Sequence, residues 1–308
     1  MRIRGNITWQ EHNIPGIWVG DTGQPGPEVA IIGGVHGDEL GGIMVAQQSK
    51  EKINAEEGVV YLIEANLEAI AMGDEGQRAT VPGLNLNRQF RSVKNLQPKF
   101  ANMDPADWPY EVKRGLELAE FLEKPEIVGS LDLHDFKNPN GPIFMITEER
   151  GFAIARAIGA PIISSGWSTA EPGGSDYFME TMGKVGICYE LGYKKEPTKV
   201  LDRGHDAVAR FLVEHEMVEG NLSPMFDNPT FIRNIGATIR RTEQYELLLP
   251  EDIKTFDELK EGQKIARIDG ELVIAKAGQY IIFPEKPKDV PIDTEAFSLG
   301  EKFVPEAV

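Results

Sequence analysis

Cysteine is almost missing from this chain, with Cys188 alone among 308 residues. A lone thiol excludes an internal disulfide, and it excludes a metal site built from several cysteines. Any metal must then be held by histidine, aspartate or glutamate, and a cytoplasmic protein is the expectation. Positive charge is also short, with 32 Lys and Arg against 49 Asp and Glu and a net charge of -17. That balance repels phosphate backbones and anionic lipid surfaces, so neither nucleic acid nor membrane is an expected partner. No apolar run is long enough to span a bilayer. Residues 1–15, with Arg2, Arg4, Gln10, Glu11 and His12, lack the apolar core of a secretion signal. Internal repeats and low-complexity segments are missing too.

What is present suffices for a full-sized core, since 41% of the residues are hydrophobic. Apolar, β-rich runs at 28–32, 59–64, 127–133, 143–147 and 185–190 predict buried strands. Between them, apolar positions three and four apart predict helices at 40–53, 110–122, 149–158 and 203–216. Strands alternating with helices imply an α/β sheet covered on both faces. The pattern changes after about residue 220, where Asn221, Ser223, Pro224, Asn228 and Pro229 break it. Short strand candidates follow at 238–241, 264–268, 271–275 and 280–283. The division expected is a catalytic α/β domain over 1–225 and a small β-rich domain over 226–308.

The sharpest local signal is Gly33-Gly34-Val35-His36-Gly37-Asp38-Glu39, between a strand candidate and a helix candidate. Ligand sites in open α/β sheets gather at such strand ends. His36 and Glu39 offer an imidazole nitrogen and a carboxylate, although a His-x-x-Glu pair equally fits a hydrogen-bonded core histidine. His134, in Leu131-Asp132-Leu133-His134-Asp135, closes another strand candidate and offers a third ligand. His12 lies in an irregular segment, and His205 and His215 lie on a polar helical pattern, so those three are expected at the surface. Two histidines and one carboxylate leave a zinc position open for water, the arrangement of a catalytic site. Glu190, at the end of the 185–190 strand, is placed to be the base, or else is an ordinary strand-end acid. Cys188 faces the same way, as a buried thiol rather than a nucleophile. Arg78, Asn85, Asn87 and Arg88 share one Gly/Pro-containing loop. Arginine forks grip carboxylates, or they pair with nearby acids.

In order along the chain, GGVHGDE, RATVPGLNLNR, DLH and YELG resemble the succinylglutamate desuccinylase/aspartoacylase family, a branch of the zinc carboxypeptidase-like superfamily. The likeness runs nearly the whole length, since 260–270 and Ile282-Phe283-Pro284 resemble the family's small C-terminal β domain. The resemblance implies a mixed-sheet α/β/α domain with one zinc ion on His36, Glu39 and His134, and Glu190 as general base and acid. It implies that Arg78 polarises the scissile carbonyl and that Asn87 and Arg88 hold the substrate's α-carboxylate. Asn85 joins them in the substrate loop, where many members have aspartate. Gly173-Gly174-Ser175-Asp176 resembles a segment of zinc carboxypeptidases.

Two departures bear on the substrate. Aspartoacylases read an acidic side chain with an arginine upstream of the catalytic glutamate, and residues 177–184 contain none; Glu180 stands about there. They also bring in a tyrosine from near the C-terminus, and residues 289–297 have none. Both favour a neutral or cationic side chain on the substrate. The expected activity is removal of an acetyl or succinyl group from an N-acyl amino acid or similar small amine. Two alternatives stay open from the sequence: a metallocarboxypeptidase acting on peptides, and a non-catalytic metal or amino-acid binding protein. Manganese, cobalt and nickel accept the same donors as zinc. A homo-oligomer is a common outcome for such enzymes, with no interface stripe legible in the sequence.

Overall fold

A computed structural model describes residues 7–53, 55–136, 141–170, 172–220, 226, 228–288 and 290–306. Their strands are β1 (Thr8–Glu11), β2 (Ile17–Asp21), β3 (Glu28–Gly33), β4 (Val59–Glu64), β5 (Ile127–Phe136), β6 (Phe144–Ile146) and β7 (Ile162–Ser165). They continue as β8 (Val185–Tyr193), β9 (Thr230–Arg240), β10 (Tyr245–Leu247), β11 (Lys264–Ile268), β12 (Glu271–Ile274), β13 (Gln279–Ile282) and β14 (Thr294–Lys302). The helices are α1 (Leu40–Lys52), α2 (Leu67–Ile70), α3 (Pro98–Ala101), α4 (Tyr110–Leu122), α5 (Phe152–Ile158), α6 (Trp167–Ala170), α7 (Ser175–Thr181) and α8 (Pro197–Glu214).

Eleven strands form one mixed sheet in the order β1-β2-β4-β3-β5-β8-β6-β7-β9-β14-β13. Its centre, β4-β3-β5-β8, is parallel, as crossover helices require. Side chains alternate across a strand, and here both sets are apolar, which explains the unbroken hydrophobic runs. Val29 and Ile31 join Val45 of α1, Phe152 of α5 and Phe211 of α8 on one face. Ala30 and Ile32 join Leu118 and Phe121 of α4 and Phe178 of α7 on the other. The architecture is thus a mixed α/β sheet between helical layers, with a small β-rich C-terminal region.

That C-terminal region divides between two sheets. β9 continues the main sheet in parallel with β7, and β14 and β13 follow it antiparallel. β10, β11 and β12 form a separate three-stranded sheet over a core that includes Leu259, Ile265, Ile281 and Phe297. Asp269 and Gly270, with φ of 52° and 84°, make the tight turn between β11 and β12 that an Asp-Gly pair favours. The boundary expected between residues 225 and 226 falls among residues 221–225 and 227, outside the described residues.

The elements that carry the site match expectation closely. β3 and β5 run one and three residues longer than predicted, so His134 lies inside β5 rather than beyond its end. α8 begins at Pro197, not 203, because proline suits a first helical turn.

Candidate active site

The centre is assembled where β3, β5 and β8 reach their C-terminal ends. After β3 the chain turns through Gly34, whose φ of 71° favours glycine, and His36 follows in a turn whose carbonyl accepts the Glu39 N–H at 3.1 Å. Glu39 immediately precedes α1. That helix seats tightly on β5 because Gly42 has no side chain; a Cβ there would stand 2.2 Å from the Leu133 carbonyl oxygen. Close seating carries the Glu39 carboxylate to His134.

His36, Glu39 and His134 are all buried, and one ligand atom from each lies within 4.8 Å of the others. His36 Nδ1 is 2.8 Å from Glu39 Oε1, and His134 Nδ1 is 2.8 Å from Glu39 Oε2. Both imidazoles therefore present the same nitrogen to one carboxylate. Burial opposes charge on Glu39, yet His36 and His134 beside it hold its carboxyl well below the usual range. Burial and Arg78 keep His36 below its ordinary value. Burial also opposes charge on His134, but Asp132, with Glu39, raises it well above. Two imidazole nitrogens and an ionised carboxylate, buried together, fit the donor set of a divalent metal ion with an open position.

Each outer nitrogen faces an acceptor oxygen. His36 Nε2 lies 3.0 Å from Asn85 Oδ1, which fixes Nδ1 as the free donor atom if the ring is neutral. His134 Nε2 lies 3.1 Å from Asp132 Oδ2, an ion-pair contact without hydrogen-bond geometry. Asp132 in turn accepts the Ser175 hydroxyl at 2.5 Å.

Glu190 pairs in register with His134 across β5 and β8, so the two side chains are neighbours on one face of the sheet. Burial pushes its carboxyl up to about 8, reinforced by the negative charge of Glu39 and opposed by His134 and Arg78. A carboxyl tuned near neutrality can take and return a proton. Arg78 comes from the loop after α2, and its Nη1 stands 3.2 Å from Glu39 Oε1. It is a cation at the mouth of the site, with half of its side chain in solvent.

Asn85, Asn87 and Arg88 form the tight turn beside it. Asn85 Oδ1 also accepts the Asn87 N–H at 2.8 Å, and Asn87 Oδ1 accepts the Ser175 N–H at 3.1 Å. Arg88 donates to the Asn87 carbonyl at 2.7 Å. Glu180 does not join this centre as the sequence suggested: α7 runs back from Ser175 toward the start of β8, and Glu180, next to its end, lies there with Oε1 buried and without a hydrogen-bond partner. Its nearest cation, exposed Arg150, is 4.0 Å away. Burial, with Glu148 and Asp176 close by, pushes the Glu180 carboxyl up to about 7.

A profile of the succinylglutamate desuccinylase/aspartoacylase catalytic domain matches residues 25–213. The chain belongs to this family. A curated relative, the N-alpha-acetyl-L-2,4-diaminobutyric acid deacetylase of Halomonas elongata, is 26% identical over 255 residues, 79% of this chain and 70% of that protein. The fold is that of succinylglutamate desuccinylase from Vibrio cholerae, with a TM-score of 0.75 at 17% identity over 98% of this chain and 89% of that one. It is also similar to the product-bound ectoine utilization protein EutE (DoeB) from Ruegeria pomeroyi, with a TM-score of 0.61 at 17% identity over 96% and 94% of the two chains.

In this member of the family, the expectation for three histidines is corrected. His12, His205 and His215 are half-buried rather than on the surface: His12 accepts the Ile14 N–H, His205 lies 3.1 Å from Gln48 Oε1, and His215 lies 2.9 Å from the Phe211 carbonyl. Each is held by packing and stands apart from the three ligand candidates. Cys188 is buried, and burial pushes its thiol far up, as an inert core residue requires. Sequence reasoning gave no role to Asp132 or Ser175. The alternation of β5 was the available signal, because Asp132 and His134 are two apart and share a face. Nothing in the spacing announced Ser175. Among the described residues, no helix is long and apolar enough to cross a membrane.

Proposed function

We propose that the protein is a zinc-dependent amidohydrolase that releases the acyl group of an N-acyl amino acid whose side chain is cationic. The observation that carries this reading is the buried convergence of His36, Glu39 and His134, with Glu190 beside His134 and Arg78 at the mouth. A zinc ion held by the three ligands would polarise the scissile carbonyl and acidify an attacking water.

Glu190 accepts the proton of that water as the oxygen bonds to the acyl carbon, then returns it to the nitrogen as the C–N bond breaks. Water, amide and one transferred proton yield a carboxylic acid and an amine. Arg78 stabilises the negative charge that develops on the carbonyl oxygen. Asn87 and Arg88 hold the α-carboxylate, and Asn85 orients His36. The cationic side chain rests on the name of the Halomonas elongata relative, whose substrate carries an amino group on its side chain. A small cytoplasmic metabolite is the substrate type that fits a protein with one inert thiol.

Metal content and amine release test this together. The substrates are N-acetyl and N-succinyl forms of 2,4-diaminobutyrate, aspartate and leucine, with a dipeptide carrying a free C-terminus as the carboxypeptidase control. About one zinc per chain, lost in His36→Ala, and preferred cleavage of acyl diaminobutyrate are expected. Preferred cleavage of the dipeptide would replace the deacylase with a carboxypeptidase. Bound zinc without hydrolysis of any substrate would favour a binding protein.

A further inference from the structure

Two histidines hold the metal site, and the loop assigned to the substrate's carboxylate touches the outer side of both. The contact to His36 is direct, through Asn85 Oδ1 at 3.0 Å from Nε2. The contact to His134 is a chain of three links. Asn87 Oδ1 accepts the Ser175 N–H at 3.1 Å, the Ser175 hydroxyl donates to Asp132 Oδ2 at 2.5 Å, and the same Asp132 oxygen stands 3.1 Å from His134 Nε2. Ser175 and Asp132 are wholly buried, so water does not screen these contacts. Gly174 and Gly173 bring the Ser175 turn against the loop: a Cβ on Gly173 would meet the Arg88 carbonyl at 2.5 Å. Phe90 N–H closes the junction on the Gly173 carbonyl at 3.1 Å.

We propose that Ser175 is a positioning residue that ties the Asn87–Arg88 carboxylate clamp to His134 through Asp132, so that metal ion and substrate carboxylate bind cooperatively. The proposal rests on the functional reading above. Asn87 has one amide oxygen, engaged by Ser175, and an NH2 group left to donate to a carboxylate. A carboxylate that fixes this amide fixes Ser175 through its backbone N–H. The hydroxyl of Ser175 then keeps the Asp132 carboxylate within ion-pair distance of His134. Ordering by the first ligand lowers the ordering cost of the second, in either sequence, and linkage makes the effect reciprocal. Apart from its bond with Ser175, Asp132 has no hydrogen bond on its other oxygen, so the hydroxyl is its main restraint beyond His134.

The test measures zinc affinity by competition with a chromophoric chelator, with and without levulinate. Levulinate is N-acetylglycine with the amide N–H replaced by CH2; it offers the carboxylate and carbonyl, is not hydrolysed, and lacks an amine to chelate zinc. In the wild type, saturating levulinate should tighten zinc binding about fivefold to tenfold. Ser175→Ala should weaken zinc binding about tenfold and lose the levulinate effect, while Ser175→Thr, which keeps the hydroxyl, restores it. Asn87→Ala breaks the same chain at its half-buried end and should also abolish the effect; it supplies the answer if Ser175→Ala does not fold. Thermal unfolding of the apo proteins separates a loss of coupling from general loosening. Zinc and levulinate binding independently in the wild type would overturn the coupling while leaving the deacylase reading intact. An undiminished levulinate effect in both Ser175→Ala and Asn87→Ala would overturn the relay. A protein that binds no zinc overturns the metal assignment and the coupling together.

Discussion

Glu180→Gln tests a buried acid at the far end of the sheet from His36, Glu39 and His134. The Glu180 side chain is 12% exposed, and its carboxyl sits at about 7, raised by burial and then by Glu148. A raised carboxyl pKa means that the fold favours the neutral acid. That contribution to stability is complete below the ordinary value of 4.5 and is lost as pH rises through about 7. A shift of this size corresponds to roughly 3 kcal/mol of strain at pH 8, at about 1.4 kcal/mol per pKa unit. Glutamine has nearly the same shape and no charge to desolvate, so Glu180→Gln should raise Tm at pH 8 by about 3 to 6 °C and leave it little changed at pH 5. Activity should not follow. α7 runs back from Ser175 to the start of β8, so Glu180 lies at the opposite end of that strand from Glu190, and kcat/KM for acyl diaminobutyrate and for acyl leucine should be unchanged. Scanning calorimetry at the two pH values and rates on both substrates decide it. A lower Tm at pH 8 would refute the burial argument, and a lost preference for acyl diaminobutyrate would refute the separation of Glu180 from the site.

Chelation of the purified enzyme should abolish hydrolysis, and added zinc should restore it; full activity after metal removal, verified by elemental analysis, would contradict the ligand set. Glu190→Gln should cut kcat by about a hundredfold to ten-thousandfold with zinc content retained, as expected for a proton carrier beside the ligands. Arg78→Ala should lower kcat by about a hundredfold, and because half of its side chain is in solvent, Tm should hold within about 1 °C. Ending the chain before β9 would strip the parallel partner from β7 and expose its edge. Such a fragment should aggregate rather than fold as an isolated catalytic unit, which size-exclusion chromatography would show.

Most of the centre was legible because its parts coincide with strong local patterns. Val29, Ala30, Ile31 and Ile32 are apolar on both faces, as only a central parallel strand requires, and the glycines after them announce a turn. β5 and β8 carry the same signature, so His134 and Glu190 were both expected at strand ends; that the two strands are neighbours is a finding of the structure. The edges were harder. β1 has mostly exposed residues, and its pairing with β2 rests on long-range hydrogen bonds without a hydrophobic signal of its own. β14, over 294–302, was not among the expected strands: Gly300 and a charged end interrupt its apolar pattern, and its partner β9 lies more than fifty residues away. The junction of Ser175 with Asp132 was illegible for the same reason, since a hydroxyl-to-carboxylate bond between distant residues leaves no periodic trace.

The two ligand histidines differ in what backs them, and the difference suits the rest of the site. His134 has the Asp132 carboxylate behind it, whereas His36 has the neutral amide of Asn85. Around Glu190 the negative charge is already dense, with Glu39 and Asp135 both raising its pKa. A second carboxylate behind His36 would add to that density. Asn85→Asp should therefore raise the Glu190 pKa, by roughly half a unit to one unit given the intervening imidazole. The base form of Glu190 is the active one, so a higher pKa moves the acidic limb of the kcat/KM profile upward and lowers the rate at pH 6. The same aspartate makes His36 a stronger donor, so zinc should bind more tightly while turnover at low pH falls. Rate profiles from pH 5 to 9 and chelator competition read the two effects separately. An acidic limb that stays in place while zinc affinity rises would show that charge behind His36 does not reach Glu190, and an unchanged zinc affinity would remove Asn85 from the support of the ligand.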